Sequence, residues 1–362
     1  MYLGGVAPAD RKPALRRATF KAVQAMLLDP VSFLQIDLPA MTAALLATCA
    51  CALLGNFLVL RRQSLMGDAI SHAVLPGLVV GLLVSGSLSG WPMFVGALIA
   101  ALLAAALIEL VRRLGRLESG AAMGVVFSIF FAAGVVMLEQ VTAGNAHVDP
   151  DCVLYGQLEH ILWLAPTGWA SLLDPAVWRD LPGEVVTLAV VALVTAAAVL
   201  LFYKELKLAS FDPDLASSLG FPAGLVNIGL MLLVGAVAVA AFAAVGSILV
   251  VAMFICPAAA ARLLTHRLAA QLWLSQAFAA LAAVGGYALA AFGPLLLGGE
   301  HSLAASGMIA VVAGLILAAA VAASRRDRSG PSPAVVGGSP EPAAPGLRDA
   351  LGKGSAGVDK GS

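Results

Sequence analysis

What this sequence has least of is charge. Asp, Glu, Lys and Arg make up 12% of its 362 residues while 60% are hydrophobic, whereas a soluble domain carries about a quarter charged residues. A soluble catalytic domain is thereby excluded from the body of the chain. The 21 basic residues are matched by 21 acidic ones, and with no basic stripe the chain has nothing to hold nucleic acid. It also lacks a G-x-x-x-x-G-K-[S/T] loop, so it does not bind ATP by that route. Cysteine is scarce, and Cys49, Cys51 and Cys256 fall in apolar runs. That rules out an extracellular disulfide framework and a clustered thiolate metal site, since soft-metal sites gather their sulfurs. No clean secretory leader opens the sequence: basic residues 11–21 are followed by a short stretch broken at Asp29-Pro30.

What the sequence has instead is long hydrocarbon. About 20 apolar residues cross a bilayer as a helix, and such runs occur at 38–60, 70–88, 91–108, 121–138, 185–203, 268–291 and 303–323. Residues 221–261 carry no charge over 41 positions. That is too long for one crossing, and Ala243-Ala244-Val245-Gly246-Ser247 is the natural turn of a helical hairpin. The expectation is an all-α polytopic membrane protein of about nine transmembrane helices, its membrane domain covering 37–323. Residues 1–36 read as an N-terminal extension, either an interfacial segment or a start placed too early with Met26 as the first residue. The Pro-, Gly- and Ser-rich residues 324–362 cannot bury a core and read as a disordered cytoplasmic tail.

Charge placement orients the helices. Arg61-Arg62, Arg112 to Arg116, Lys204 to Lys207, Arg262 to Arg267 and Arg325 to Arg328 all fall on one side if nine helices alternate, and basic connectors mark the cytoplasm. The other side collects Asp149, Asp151, Glu159, Asp174, Asp180 and Glu184 against Arg179 alone. The N-terminus is then outside and the C-terminus inside. Basic residues 11–21 oppose this, but the five connectors agree with one another and lie close to helix ends, so they decide. The long external segment 139–184 carries Trp163, Trp169 and Trp178, which suggests that part of it rests at the membrane interface.

Within the run LRRQSLMGDAISHAVLPG, Asp68 and His72 stand four apart. On a helix that spacing presents a carboxylate and an imidazole to one point, a pair suited to a divalent transition metal. Ionisable groups at membrane depth are costly and normally face a pathway. The alternative is a helix cap at Asp68 and an imidazole satisfying a backbone carbonyl. Elsewhere, His147-Val148-Asp149-Pro150-Asp151 offers further ligand types near the outer mouth, although Asp-Pro steps also simply start turns. Gly77 and Gly81 permit close helix packing.

Five stretches in order, NFLVLRRQSLMGDAISHAVLPG, RLESGAAMGVVFSIFFAAGVVML, HVDPDCVLYGQLE, FYKELKLASFDPDLASSLG and VGSILVVAMFICPAAAARLLTHRL, together resemble the metal-ion class of ABC importer permeases. These are the membrane subunits of manganese, zinc and iron uptake systems, and the third and fourth stretches look most like the manganese (and iron) branch, less like the zinc branch. The resemblance implies a type II importer permease fold, resident in the cytoplasmic (inner) membrane of a bacterium, with Asp68 and His72 as the metal pair on the translocation path. It implies no permanently bound cofactor, only a transported divalent metal: manganese first, zinc or iron otherwise. Nor is the chain itself an enzyme; a separate cytoplasmic ATP-binding subunit hydrolyses ATP. The further partners implied are an extracytoplasmic metal-binding protein, and a second permease copy or a paralogue.

The segment 211–220 begins with a capping signature, Asp212 before Pro213 with Asp214 in the first turn, and Gly220 suits its end. On the residues alone it is equally an amphipathic connector. The resemblance makes it the loop that inserts into the ATPase, with Phe211, Asp212, Asp214, Leu215, Leu219 and Gly220 as its coupling residues. His266 departs from the family, where aspartate is usual. The competing readings are a permease for metal chelates such as cobalamin or siderophores, which needs no dedicated ligand pair, and a secondary transporter driven by an ion gradient, for which an internal inverted repeat would be expected.

Overall fold

In the computed structural model, the described residues are 30–63, 66–85, 90–142, 158–296 and 303–328. Among them every regular element is helical. The helices are α1 (Leu38–Leu60), α2 (Met66–Ala73), α3 (Leu75–Ser85), α4 (Gly90–Gly115), α5 (Ser119–Thr142), α6 (Gly183–Leu201), α7 (Tyr203–Phe211), α8 (Pro213–Ser218), α9 (Ala223–Val245), α10 (Ser247–Leu264), α11 (Leu268–Leu296) and α12 (Ala305–Arg328). Among the described residues seven apolar spans are long enough to cross a bilayer, and the segments Leu75–Val84 and Ile248–Leu264 are shorter. The 221–261 run does turn at Gly246, whose φ of 83° lies in the left-handed region that only glycine enters without strain.

The first span begins earlier than the hydropathy pattern suggests, at Phe33, because a π-helical turn over Phe33–Asp37 runs straight into α1. The run at 70–88 is not one helix. It is α2 and α3, interrupted at Val74, and Pro76 is the cause: proline lacks an N–H, and its ring collides with the carbonyl four residues back, here that of His72.

At the centre lies α1, packed against α6, α9, α10 and α11. Its core is built from alanines and a few large residues, Leu54, Phe57 and Leu58 among them, all essentially inaccessible. Small residues suit a membrane bundle, where close van der Waals contact takes over from the hydrophobic effect between helices. The approach of α3 to α4 is tight enough to require glycine on both helices. A side chain at Gly77 would meet the Gly96 carbonyl, and one at Gly96 would meet Gly77 and the amide of Gly81, so the Gly77 and Gly81 pair serves the α3–α4 contact. The peripheral helices invert the soluble pattern, with Leu193, Leu200 and Val84 more than two-thirds exposed, as lipid-facing surfaces require.

One polar cluster crosses the apolar interior. Asn56 Nδ2 donates to Ser275 Oγ at 2.6 Å, and Gln271 Nε2 donates to Asn56 Oδ1 at 3.0 Å; all three residues are fully buried. They join α1 to α11. Asn56→Leu should cost about 1–2 kcal/mol, at the upper end of interhelical hydrogen bonds in membranes, because it strands the Gln271 amide, whereas Ser275 keeps its bond to the Leu272 carbonyl. Reversible unfolding in mixed micelles measures it, and an unchanged midpoint would deny the cluster a role in stability.

The two ends of the bundle differ. At one, Arg61, Arg62 and Arg112 gather with Ser210 and Asn227. Here α1 finishes in a Schellman turn: the Gln63 amide donates to the Leu58 carbonyl at 2.8 Å and the Arg62 amide to the Val59 carbonyl at 3.2 Å. Arg62 occupies the left-handed position, φ 57°, at a cost of about 1–2 kcal/mol that glycine would not incur. At the other end, Tyr287 Oη donates to Asp37 Oδ1 at 2.8 Å, and the Ala305 amide donates to Glu159 Oε1 at 3.1 Å. The loop over 158–182 is tied down there as well. The Trp163 amide donates to the Gln35 carbonyl at 2.9 Å and Gln35 Nε2 to the Pro166 carbonyl at 2.8 Å.

The three tryptophans of this loop do not share one role. Trp163 is buried against Trp178, ring centroids 5.6 Å apart, with its indole N–H on the Val177 carbonyl at 3.2 Å. It is a packing residue of the loop, while Trp169 and Trp178 are more than half exposed and keep the character of interface anchors.

Candidate metal path and coupling helix

The amphipathic helix α2 sets the geometry of the pair. Positions 68 and 72 lie one turn apart on it, and it packs against α4, α5, α9 and α10. Its approach to α10 is made possible by Gly67, where a Cβ would stand 2.7 Å from the buried ring of Phe254. The break that follows is held from the far side by Gly134 of α5, where a Cβ would come within 2.9 Å of Leu75 Cβ and Pro76 Cδ. Gly67 thus admits the Phe254 ring at the start of α2, and Gly134 admits the Pro76 ring just past its end.

His72 is half-buried. Its ring lies 5.3 Å from Phe127 and 5.7 Å from Phe131, centroid to centroid, the second contact edge-on, and the two phenylalanines stack on each other at 5.9 Å. They form an aromatic wall on α5 that limits how the imidazole can turn. The side chain of Asp68 lies outside the described residues, as do His147 to Asp151 and Cys152. Among the described residues no three His, Cys, Asp or Glu side chains gather as a metal site. From the described residues alone, no complete coordination set for a divalent metal is assembled.

The interruption at Val74 is itself informative. In lipid, a helix broken at depth is tolerated only where protein or a water-lined path satisfies the freed backbone groups, and discontinuous helices of transporters mark the binding site. Here the carbonyl four residues before Pro76 belongs to His72 itself. Phe127 and Phe131 escaped the sequence reading, although their four-residue spacing already put two rings on one face of α5.

The coupling candidates form a compact unit. Asp212 Oδ1 accepts the Leu215 amide at 2.9 Å, capping α8, and Pro213 stands at the first helical position, where its missing N–H costs nothing. At the other end the Phe221 amide donates to the Ala216 carbonyl at 3.0 Å and the Gly220 amide to the Ser217 carbonyl at 3.1 Å. With Gly220 at φ 84° this is a complete Schellman motif. Ala216 is buried, whereas Phe211, Leu215 and Leu219 are 53, 46 and 60% exposed. A capped, six-residue helix thus carries an apolar ridge at the basic end, with Asp212 and Asp214 exposed beside it. His266 is exposed in the turn between α10 and α11.

With that geometry in view, the comparisons with known proteins are direct. The description "ABC 3 transport family" matches residues 34–163 and 181–324. The chain is 40% identical over 272 residues to the manganese transport system membrane protein MntD of Bacillus subtilis, covering 75% of this chain and 86% of that protein. To the zinc transport system membrane protein TroD of Treponema pallidum it is 44% identical over 214 residues, covering 59% of this chain and 56% of that protein. Among solved structures, PsaBC from Streptococcus pneumoniae in complex with Fab superposes with a TM-score of 0.62 at 28% identity, covering 84% of this chain and 95% of that one. A metal-chelate type ABC transporter in an inward-facing conformation superposes at 0.58 with 16% identity, a likeness of fold alone. Matched on both sides of residues 164–180 and over most of its length, the chain belongs to the ABC 3 transport family.

Proposed function

We propose that the chain is the membrane permease subunit of an ATP-driven importer of a divalent transition metal, manganese first, with zinc or iron as the alternatives. The observation that carries this is the position of Asp68 and His72 one turn apart on α2, directly before a helix break, with the His72 ring against Phe127 and Phe131. The manganese and zinc transport proteins named among the relatives support the choice of cargo.

One carboxylate and one imidazole leave an ion under-coordinated. A second copy, or a paralogue, facing the first completes a set of two oxygens and two nitrogens, which suits Mn²⁺, Fe²⁺ or Zn²⁺. As a multi-pass membrane subunit of its family, the chain draws its energy from a separate ATPase. The exposed ridge of α8 is the surface that the ATPase grips, and the acidic end receives the metal-carrying extracytoplasmic protein. The basic end faces the cytoplasm. A chelate permease shares the helix plan, but a bulky chelate has no use for a bare ligand pair in the path.

Deleting the gene should lower cellular manganese specifically. Cell-associated Mn, Fe and Zn measured in the deletion strain and in a complemented one identify the cargo, and unchanged levels of all three would remove the proposal. Orientation is checked separately with single cysteines. Those placed at Gly115 and Ser217 should react only after the membrane is opened, whereas one at Ser171 should react in intact cells. Labelling of position 217 from outside by an impermeant reagent would reverse the assignment of sides.

A further inference from the structure

A pocket of about 410 Å³ opens at the basic end, lined by the end of α1 (Arg61, Arg62, Gln63), by Glu109 and Arg112 of α4, and by Ser210 and Asn227. Its volume falls within the usual range for small-molecule sites, about 300–1,000 Å³. Three guanidiniums line it against one carboxylate. Glu109 is engaged by Arg112 in a two-point ion pair at 2.7 and 3.0 Å, so the charge of the other two arginines has no carboxylate among the lining residues.

Arg61 is held in place and left incomplete. Its Nε donates to Ser210 Oγ at 3.0 Å and its Nη1 to Asn227 Oδ1 at 2.6 Å, while Nη2 is buried without a hydrogen-bond partner among the described residues, as is Gln63 Oε1. A buried donor on a cation is rarely left unmet. Burial draws the Arg61 guanidinium below its ordinary range, the direction expected of a cation short of counter-charge. Arg62 adds a second sign: it holds the left-handed position of the α1 Schellman turn, where glycine fits better. A strained residue of this kind persists where its side chain is wanted.

We propose that this pocket is a binding site for a phosphate-bearing anion, taken by the guanidiniums of Arg61 and Arg62. Planar guanidinium forks match phosphate oxygens in geometry and charge. Gln63 Oε1 supplies an acceptor for a hydroxyl on the same ligand. The site lies at the ends of membrane helices, so the phosphate comes either from an anionic lipid headgroup or from solution. When filled, it ties the segment entering α2 to α4, α7 and α9, all of which line it or hold Arg61.

The test uses the purified full-length chain in phosphatidylcholine nanodiscs. In one arm phosphatidylglycerol is added at rising mole fraction, and the lipid retained per chain is counted by native mass spectrometry. In the other, inorganic phosphate is titrated by calorimetry. Wild type should bind at least one of the two probes saturably, and retention of phosphatidylglycerol without phosphate binding assigns the lipid as the source. The reverse result assigns a soluble phosphate. Arg61→Gln with Arg62→Gln should weaken binding about tenfold or more, the scale of one lost charge-assisted hydrogen bond. Glu109→Gln frees Arg112 and should tighten binding several-fold, a gain that misfolding cannot imitate. No saturable binding of either probe, or equal binding by wild type, the arginine variants and Glu109→Gln, would overturn the assignment.

Discussion

Replacing Asp68 by Asn or His72 by Ala should each abolish most metal uptake while leaving the amount of protein in the membrane unchanged. Losing even an outer-shell partner of a ligand costs about 10–100-fold in affinity or activity, and these changes remove the donors themselves. Asp68→Asn keeps size but removes the charge that offsets a divalent cation, and His72→Ala removes the nitrogen. If both serve one ion, as proposed, the double variant should be little worse than either single one, as coupled residues are not additive. If the two residues only cap and pack α2, uptake should instead fall in step with abundance and thermal stability, and the losses should add.

Much of this was legible in the sequence because lipid imposes simple rules. A helix that faces hydrocarbon must be apolar over its whole length, so the runs, the turn at Gly246 and the basic ends of the helices could be read directly. The local chemistry of α8 could be read too, since Asp212-Pro213 and Gly220 are cap residues whose preference lies in the backbone. Hydropathy does not report a break between two equally apolar halves, so 70–88 read as one helix; only Pro76 marked the interruption. Trp163 looked like its neighbours Trp169 and Trp178 because burial within a loop depends on contacts with Gln35 and Val177. The pairing of Asn56 with Gln271 and Ser275 joins residues more than 200 positions apart, and no local pattern could announce it.

Coupling supplies the other large effect. Gly220→Val should leave insertion of the chain intact and sharply reduce recruitment or stimulation of the ATPase. At φ 84° a β-branched residue is a conformational outlier, worth about 1–3 kcal/mol of strain. The relief available is to unwind the Schellman turn, which releases the amides of Gly220 and Phe221 and lets the ridge of Leu215 and Leu219 drift. Nothing lies within 4 Å of a Cβ built at Gly220, so steric crowding in the isolated chain is not what the variant would report. Co-purification of the ATPase with the variant, and its metal-stimulated ATP hydrolysis, measure the effect. Full recruitment and full transport would reduce α8 to a connector.

The account is tested most directly by ATP-dependent accumulation of Mn²⁺ in proteoliposomes that contain this permease, its ATPase and its extracytoplasmic binding protein. Wild type should accumulate the ion only when all components and ATP are present, and an imposed ion gradient should not substitute for ATP. His72→Gln, which keeps a polar side chain of similar reach but is a poor metal ligand, should assemble normally and transport almost nothing. Near-normal Mn²⁺ accumulation by a well-assembled His72→Gln complex, or uptake by the permease alone, would contradict the account.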